Sequence, residues 1–136
     1  MSVYVDTSAV IAVMDAADLR NPQATRTWAD LLSKQEELVI SSYAVAETVT
    51  VLQRRFDMNG VRIFIEDILP LMKVDWVGAD THSAASTILL ASSSKTGPSL
   101  ADCSGFEIIQ RHGITDVFAY DKHFENRKLN LIGQKP

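Results

Sequence analysis

The chain has 136 residues, 46% of them hydrophobic, a formal net charge of −4 and one cysteine. That length suits a single domain that can bury roughly two thirds of its unfolded surface, and a lone Cys103 excludes both an intramolecular disulfide and a cysteine-based zinc cluster. The negative balance argues against a simple basic nucleic-acid-binding surface, but not against an acidic site neutralised by bound cations.

Ser2–Asp6 is β-rich and ends in an acid, and a helix is expected from Thr7 to about Asp15. Asp18–Pro22 is a polar break, with Pro22 suited to the first turn of a helix over Gln23–Glu36. Leu38–Ile40 reads as a short buried strand. Ser41 and Ser42 are good N-caps, and Val45, Val49, Leu52 and Phe56 then recur at helical spacing to about Asp57. Asn59–Gly60 reads as a turn, Val61–Leu69 as a helix stopped near Pro70, and Leu71–Val77 as a strand containing Trp76. Asp80 is expected to cap a helix through Ile88, Leu89 and Leu90. After the loop Ser92–Pro98, Ser99 opens a helix to about His112, with Gly113 as its C-terminal stop. Thr115–Tyr120 is a strand, Asp121–Arg127 a loop and Lys128–Ile132 a last strand.

Strands alternating with helices imply a mostly parallel sheet covered by helices on both faces. Ligands in such sheets bind at the carboxyl ends of the strands. The opening MSVYVDTSAVIAV lacks the basic start of a secretory signal, and no apolar run approaches a membrane span. A cytoplasmic protein is expected.

Read locally, each of four acids has an ordinary role. Asp6 could cap a helix, Glu47 could be a solvated helix residue, Asp102 could complete the capping box opened by Ser99, and Asp121 could be a turn residue. Read together they differ. Asp6 and Asp121 end predicted strands, and Asp102 opens a helix after a Gly/Pro loop, so a parallel sheet brings all three to one edge. Clustered carboxylates raise each other's pKa, and a cation relieves the repulsion. An all-oxygen ligand set favours Mg²⁺ or Mn²⁺ over zinc.

In this order and spacing, VYVDTSAVIAV, SSYAVAETVTVLQRR, SLADCSGFEIIQRHGI and DVFAYDKHFE resemble the four acid-bearing segments of the PIN-domain family, and within it the toxins of the VapBC type. The resemblance covers nearly the whole chain. It implies one three-layer αβα PIN-like domain over residues 1–136 and a metal-dependent ribonuclease with Asp6, Glu47, Asp102 and Asp121 at its centre. Asp6 and Asp102 would be direct ligands of Mg²⁺ or Mn²⁺, with Asp121 and Glu47 completing the shell. Thr7 and Ser8 would orient water or ligand. Attack by water would leave 5′-phosphate and 3′-hydroxyl ends.

The resemblance further implies a small antitoxin partner and a homodimer. Surplus apolar residues at Tyr43, Val51, Met58, Val61, Ile63, Phe64, Ile65, Ile68 and Leu69 offer an interface, bordered by Arg54 and Arg55. Lys95, Lys122, Arg54 and Arg55 are the candidate RNA contacts. His82 and His112 read as structural, and His123 as packing its loop with Phe124. The rival reading is a catalytically silent PIN-like module that binds RNA or protein.

Overall fold

The computed structural model describes residues 1–92, 94–125 and 127–134, so parts of the predicted loops Ser92–Pro98 and Asp121–Arg127 lie outside the described residues, as do Lys135 and Pro136. Among the described residues five strands, β1 (Ser2–Val5), β2 (Glu37–Ser41), β3 (Lys73–Asp75), β4 (Asp116–Phe118) and β5 (Asn130–Leu131), form one sheet in the order β3-β2-β1-β4-β5. Every pairing is parallel. The expected mostly parallel sheet is therefore parallel throughout.

Alternation along the strands sends side chains to two separate cores. Val3, Val5, Leu38, Ile40 and Phe118 join one core with residues of α1 (Thr7–Met14), α2 (Asn21–Ser33), α3 (Ser42–Arg55) and α4 (Met58–Ile63). Tyr4, Val39, Val117 and Ala119 join the other with residues of α5 (Ala79–Ala91) and α6 (Leu100–His112). A sheet buried on both faces explains why its strands are apolar at consecutive positions instead of alternating with polar residues. The α6 helix approaches β1 closely at Gly105, where a Cβ would stand 2.7 Å from the Tyr4 hydroxyl.

The element boundaries depart from the sequence reading in places, each for a local reason. Asp57 accepts the Asn59 N–H and caps α4, so Asn59–Gly60 lies inside a helix and not in a turn. The expected helix Val61–Leu69 is instead the end of α4 followed by a wider π turn over Phe64–Ile68 and a 3₁₀ turn over Leu69–Leu71 that accommodates Pro70. Trp76 falls beyond β3 and is 77% exposed. Gly78, without a side-chain hydrogen bond, stands at the cap of α5, and Asp80 lies in the first turn. The α2 helix starts at Asn21, whose amide donates to the Ala12 and Val13 carbonyls, and it ends before Gln35, which takes a left-handed conformation (φ 55). Lys128 is likewise left-handed (φ 56), which delays β5 to Asn130.

Of the surplus apolar residues, Val61 and Phe64 are core, whereas Met58, Ile63 and Ile65 remain exposed. Among the described residues no helix is long and apolar enough to cross a membrane.

Candidate metal centre

The chain leaves β1 towards β2 on one side, and returns from β3 across the sheet to β4 on the other. Parallel sheets open a crevice at such a switch, outside the carboxyl ends of the diverging strands. Asp6 follows β1 directly, and its N–H still pairs with the Phe118 carbonyl at the end of β4 (3.0 Å). Asp121 lies three residues past β4 and caps a 3₁₀ turn over Lys122–Phe124. Asp102 enters from the first turn of α6, and Glu47 from the middle of α3.

The ordinary local roles are real, and they hold the acids in place. The carboxylate of Asp6 caps α1, with Oδ2 accepting from the Ser8 N–H (3.0 Å) and hydroxyl (2.6 Å). The same hydroxyl accepts the N–H groups of Tyr120 (2.9 Å) and Asp121 (3.1 Å). Ser8 thus ties the first acid to the segment that carries the last. Asp102 completes a capping box: the Ser99 hydroxyl accepts its N–H, and Oδ2 accepts the Ser99 N–H. That hydroxyl also lies 3.5 Å from Glu47 Oε2, so Ser99 links the second acid to the third. Among the described residues, Asp6, Asp102 and Asp121 each accept hydrogen bonds on one oxygen only, leaving the other for a ligand.

Thr7 lies within reach of the Glu47 carboxylate. It is buried, and its hydroxyl donates to the Ala44 carbonyl (3.1 Å) and lies 3.0 Å from the Thr48 hydroxyl. It fastens α3 to α1 and so sets the position of Glu47.

Burial pushes the Asp6 carboxyl up to about 7, against the two Ser8 hydrogen bonds and assisted by the charges of Asp102 and Asp121. Burial likewise raises Glu47 and Asp102, and the charge of Asp121 adds to both. The four acids therefore share one electrostatic site in which full ionisation is costly.

Oxygen or nitrogen atoms of Asp102, Asp121 and His123 all lie within 4.8 Å of one another, a span one cation can bridge. His123, expected to pack its loop with Phe124, instead turns ring atom Nδ1 to 2.7 Å from Asp121 Oδ1 and 3.8 Å from Asp102 Oδ2. That atom is buried and, among the described residues, makes no hydrogen bond. An orphaned nitrogen, carboxylates with free oxygens and raised carboxyl pKa values all fit a divalent cation. The only sequence signal for His123 was its position two residues after Asp121.

The candidate RNA contacts divide. Lys95 and Lys122 are exposed on the segments flanking the acids, and Lys122 lines an open concavity with Arg127 and Lys128. Arg54 and Arg55 occupy the last turn of α3, and Arg55 pairs with Asp15 at the opposite end of α1 from Asp6 (3.8 Å). The structure does not bring these two arginines to the acids.

The PIN domain family model matches residues 3–129. A 23S rRNA-specific endonuclease, VapC20, from two strains of Mycobacterium tuberculosis (CDC 1551 / Oshkosh and ATCC 25618 / H37Rv) is 29% identical over 123 residues, covering 90% of this chain and 91% of the relative. The crystal structure of Mycobacterium tuberculosis VapC20, described as a Sarcin-Ricin loop cleaving toxin, superposes with a TM-score of 0.78 at 27% identity, over 98% of this chain and 99% of that one. FitAcB from Neisseria gonorrhoeae shares the fold (TM-score 0.69, 15% identity, 96% of this chain and 97% of that one).

Proposed function

The chain belongs to the PIN domain family, and from that premise we propose that it is a metal-dependent ribonuclease, the toxin of a toxin–antitoxin pair, acting in the cytoplasm as a single PIN-like domain over residues 1–136. One observation carries the reading. Asp6, Glu47, Asp102 and Asp121 meet at the switch point of a parallel sheet, with three of the four carboxyls raised by burial and mutual charge.

Asp6, Asp102 and Asp121 would hold Mg²⁺ or Mn²⁺, with Glu47 completing the site. The cation supplies Lewis-acid stabilisation of the phosphate and lowers the pKa of a water. The chain's own residues fix the geometry: Ser8 sets the distance between the first and last acids, and Ser99 that between Glu47 and Asp102. Glu47, half-buried with its carboxyl raised, can take a proton from a water aligned on the scissile phosphate. Attack by water leaves a 5′-phosphate and a 3′-hydroxyl. Lys95, Lys122, Arg127 and Lys128 would meet the RNA backbone and offset the negative site. Arg54 and Arg55 would touch only an outlying part of a long RNA, or a protein partner.

A homodimer with a bound antitoxin is the proposed resting state. An apolar groove of about 400 Å³ lined by Val13, Met14, Phe56, Ile63 and Ile68 supports an inhibitor site close to Arg54 and Arg55. VapC20 is named for 23S rRNA and the sarcin-ricin loop, so ribosomal RNA is the first substrate to try. Purified protein is incubated with ribosomal RNA in Mn²⁺, in Mg²⁺ and in EDTA, beside Asp102→Asn. Metal-dependent cleavage absent from the variant is expected. Intact RNA under every condition would instead favour a silent binding module.

A further inference from the structure

His123 stands out as a group that the acid quartet does not require. Its Nε2 lies 3.0 Å from the Thr96 carbonyl. A carbonyl only accepts, so Nε2 carries the hydrogen and donates it. In the neutral ring, Nδ1 then presents a lone pair, and that lone pair faces Asp102 and Asp121. The approach of 2.7 Å to Asp121 Oδ1 lacks hydrogen-bond geometry, so Nδ1 stays unsatisfied among the described residues. A ring nitrogen set against two carboxylates calls for positive charge between them, which a proton on Nδ1 or a bound cation supplies.

The surroundings of the ring match those of a metal-bound histidine. Such a histidine commonly donates its second N–H to a backbone carbonyl, which fixes the tautomer and the ring plane. Thr96 provides that carbonyl and is itself held, because its N–H donates to the Ser94 hydroxyl (3.2 Å) and its hydroxyl lies 2.7 Å from the same atom. Asp121 accepts the His123 N–H (2.9 Å), which fixes the backbone of the ring from the other side. Tautomer, plane and backbone are all set with Nδ1 directed at the acids.

We propose that His123 Nδ1 is a direct ligand of the divalent cation beside Asp102 and Asp121, and that this nitrogen makes the site prefer Mn²⁺ to Mg²⁺. The inference rests on the metal-dependent reading above and deepens it. Mg²⁺ favours oxygen donors and retains its waters, whereas imidazole suits first-row transition ions. On this proposal the ligand set is mixed, where the sequence led to an all-oxygen one.

The test needs no RNA. The full chain is stripped with EDTA, dialysed and loaded with one equivalent of Mn²⁺, and electron spin-echo envelope modulation is recorded. A ¹⁴N coupling of directly coordinated imidazole is expected in the wild-type protein, replaced by a ¹⁵N pattern when histidine is ¹⁵N-labelled and lost in His123→Ala. Titration of free Mn²⁺ by its spin resonance, with Mg²⁺ as competitor, is expected to show at least roughly tenfold weaker Mn²⁺ binding in His123→Ala, since losing a direct ligand matters no less than losing an outer-shell partner, with Mg²⁺ binding nearly unchanged. Bound Mn²⁺ without directly coupled nitrogen in the wild-type protein would overturn the ligand and leave the nuclease reading standing. Failure to bind Mn²⁺ at millimolar concentration would overturn both. The wild-type spectrum decides the ligand even if the alanine variant folds poorly.

Discussion

The hydroxyl of Ser8 accepts the backbone N–H of Asp121 at 3.1 Å, across a sequence separation of 113 residues. The same oxygen accepts from Tyr120 N–H and donates to Asp6 at 2.6 Å, so one side chain joins the carboxyl ends of two neighbouring strands. Ser8→Ala removes all three interactions and leaves two N–H groups without their acceptor. Each such loss costs about 1–3 kcal/mol where water cannot replace the partner. Partial exposure here puts the total near the low end, about 2 kcal/mol. The expected result is a modest fall in melting temperature and a larger fall in cleavage, roughly tenfold or more, because the distance between Asp6 and Asp121 is no longer fixed. Wild-type kcat in a folded Ser8→Ala protein would remove Ser8 from the positioning role.

Metal-free stability should decline as pH rises. The Asp6 carboxyl titrates near 7 in the folded chain against an ordinary value of 3.8. Between those values the folded chain binds more protons than the unfolded one, so stability falls through that window and the fall is complete above it. Burial pushes Glu47 and Asp102 in the same direction. For Asp6 alone the effect is on the order of a few kcal/mol. Thermal melts in EDTA should therefore show Asp6→Asn gaining on the wild type as pH goes from 4 to 7.5. Millimolar Mn²⁺ should reverse the ranking at pH 7.5, because it binds only the folded wild type well. A pH-independent difference between the two proteins would show that Asp6 is not held in its protonated form by the fold.

Asp102→Asn is expected to separate catalysis from folding. The amide oxygen can still accept the Ser99 N–H and the Ser99 hydroxyl still accepts the backbone N–H of residue 102, so the capping box of α6 survives. What disappears is a charge that destabilises Glu47 and Asp6. Cleavage should drop by a factor of about a hundred or more, the scale of losing a principal electrostatic group, while the metal-free melting temperature stays level or rises. Loss of the fold in this variant would mean that the carboxylate has a structural role not served by an amide.

Gly105→Ala probes how α6 is seated. The added Cβ would meet Tyr4 Oη at 2.7 Å and Cζ at 2.9 Å. Tyr4 is fully buried and stacked on Phe124, so it has nowhere to move. Overpacking costs about 1–3 kcal/mol, against a helix-propensity gain of up to about 1 kcal/mol, and the clash should win. Asp102 lies one turn earlier on the same helix, so cleavage should fall along with stability. An alanine variant as stable and active as the wild type would show that α6 can slide without cost.

The layers of the fold were legible because strands buried on both faces leave consecutive apolar residues, as in Val3-Tyr4-Val5 and Leu38-Val39-Ile40, and because Ser99 and Gly113 mark the ends of α6 unambiguously. The stretch from Asp57 to Leu71 was not. An aspartate cap and a π turn compete there with an Asn-Gly turn, and local propensity does not rank them. The acids were legible only as a set, since Asp6, Asp102 and Asp121 each act as caps as well. The contact of His123 with Thr96 was not legible, because spacing along the chain does not disclose a long-range partner.

The apolar groove gives the last prediction. Val13, Met14, Phe56 and Ile68 line it, and Ile63, 40% exposed, stands at its edge. Met58 and Ile65, on the same stretch of chain, are also exposed. If an antitoxin helix or strand seats there, a charge at residue 63 must be desolvated on binding without a partner, which costs several kcal/mol. Ile63→Glu should therefore weaken antitoxin binding by at least about a hundredfold. The carboxylate adds to a surface that is already solvated in the free chain, so the melting temperature should change little. The groove flanks Asp57 at the start of α4, away from Asp6 at the start of α1, so cleavage of RNA by the free protein should be unchanged. Light scattering with size exclusion, run on material co-purified from the native host, reads the complex and the oligomeric state together. Retention of a small partner by Ile63→Glu would place the antitoxin elsewhere, and loss of cleavage in the free variant would mean that the groove and the acid site are structurally coupled.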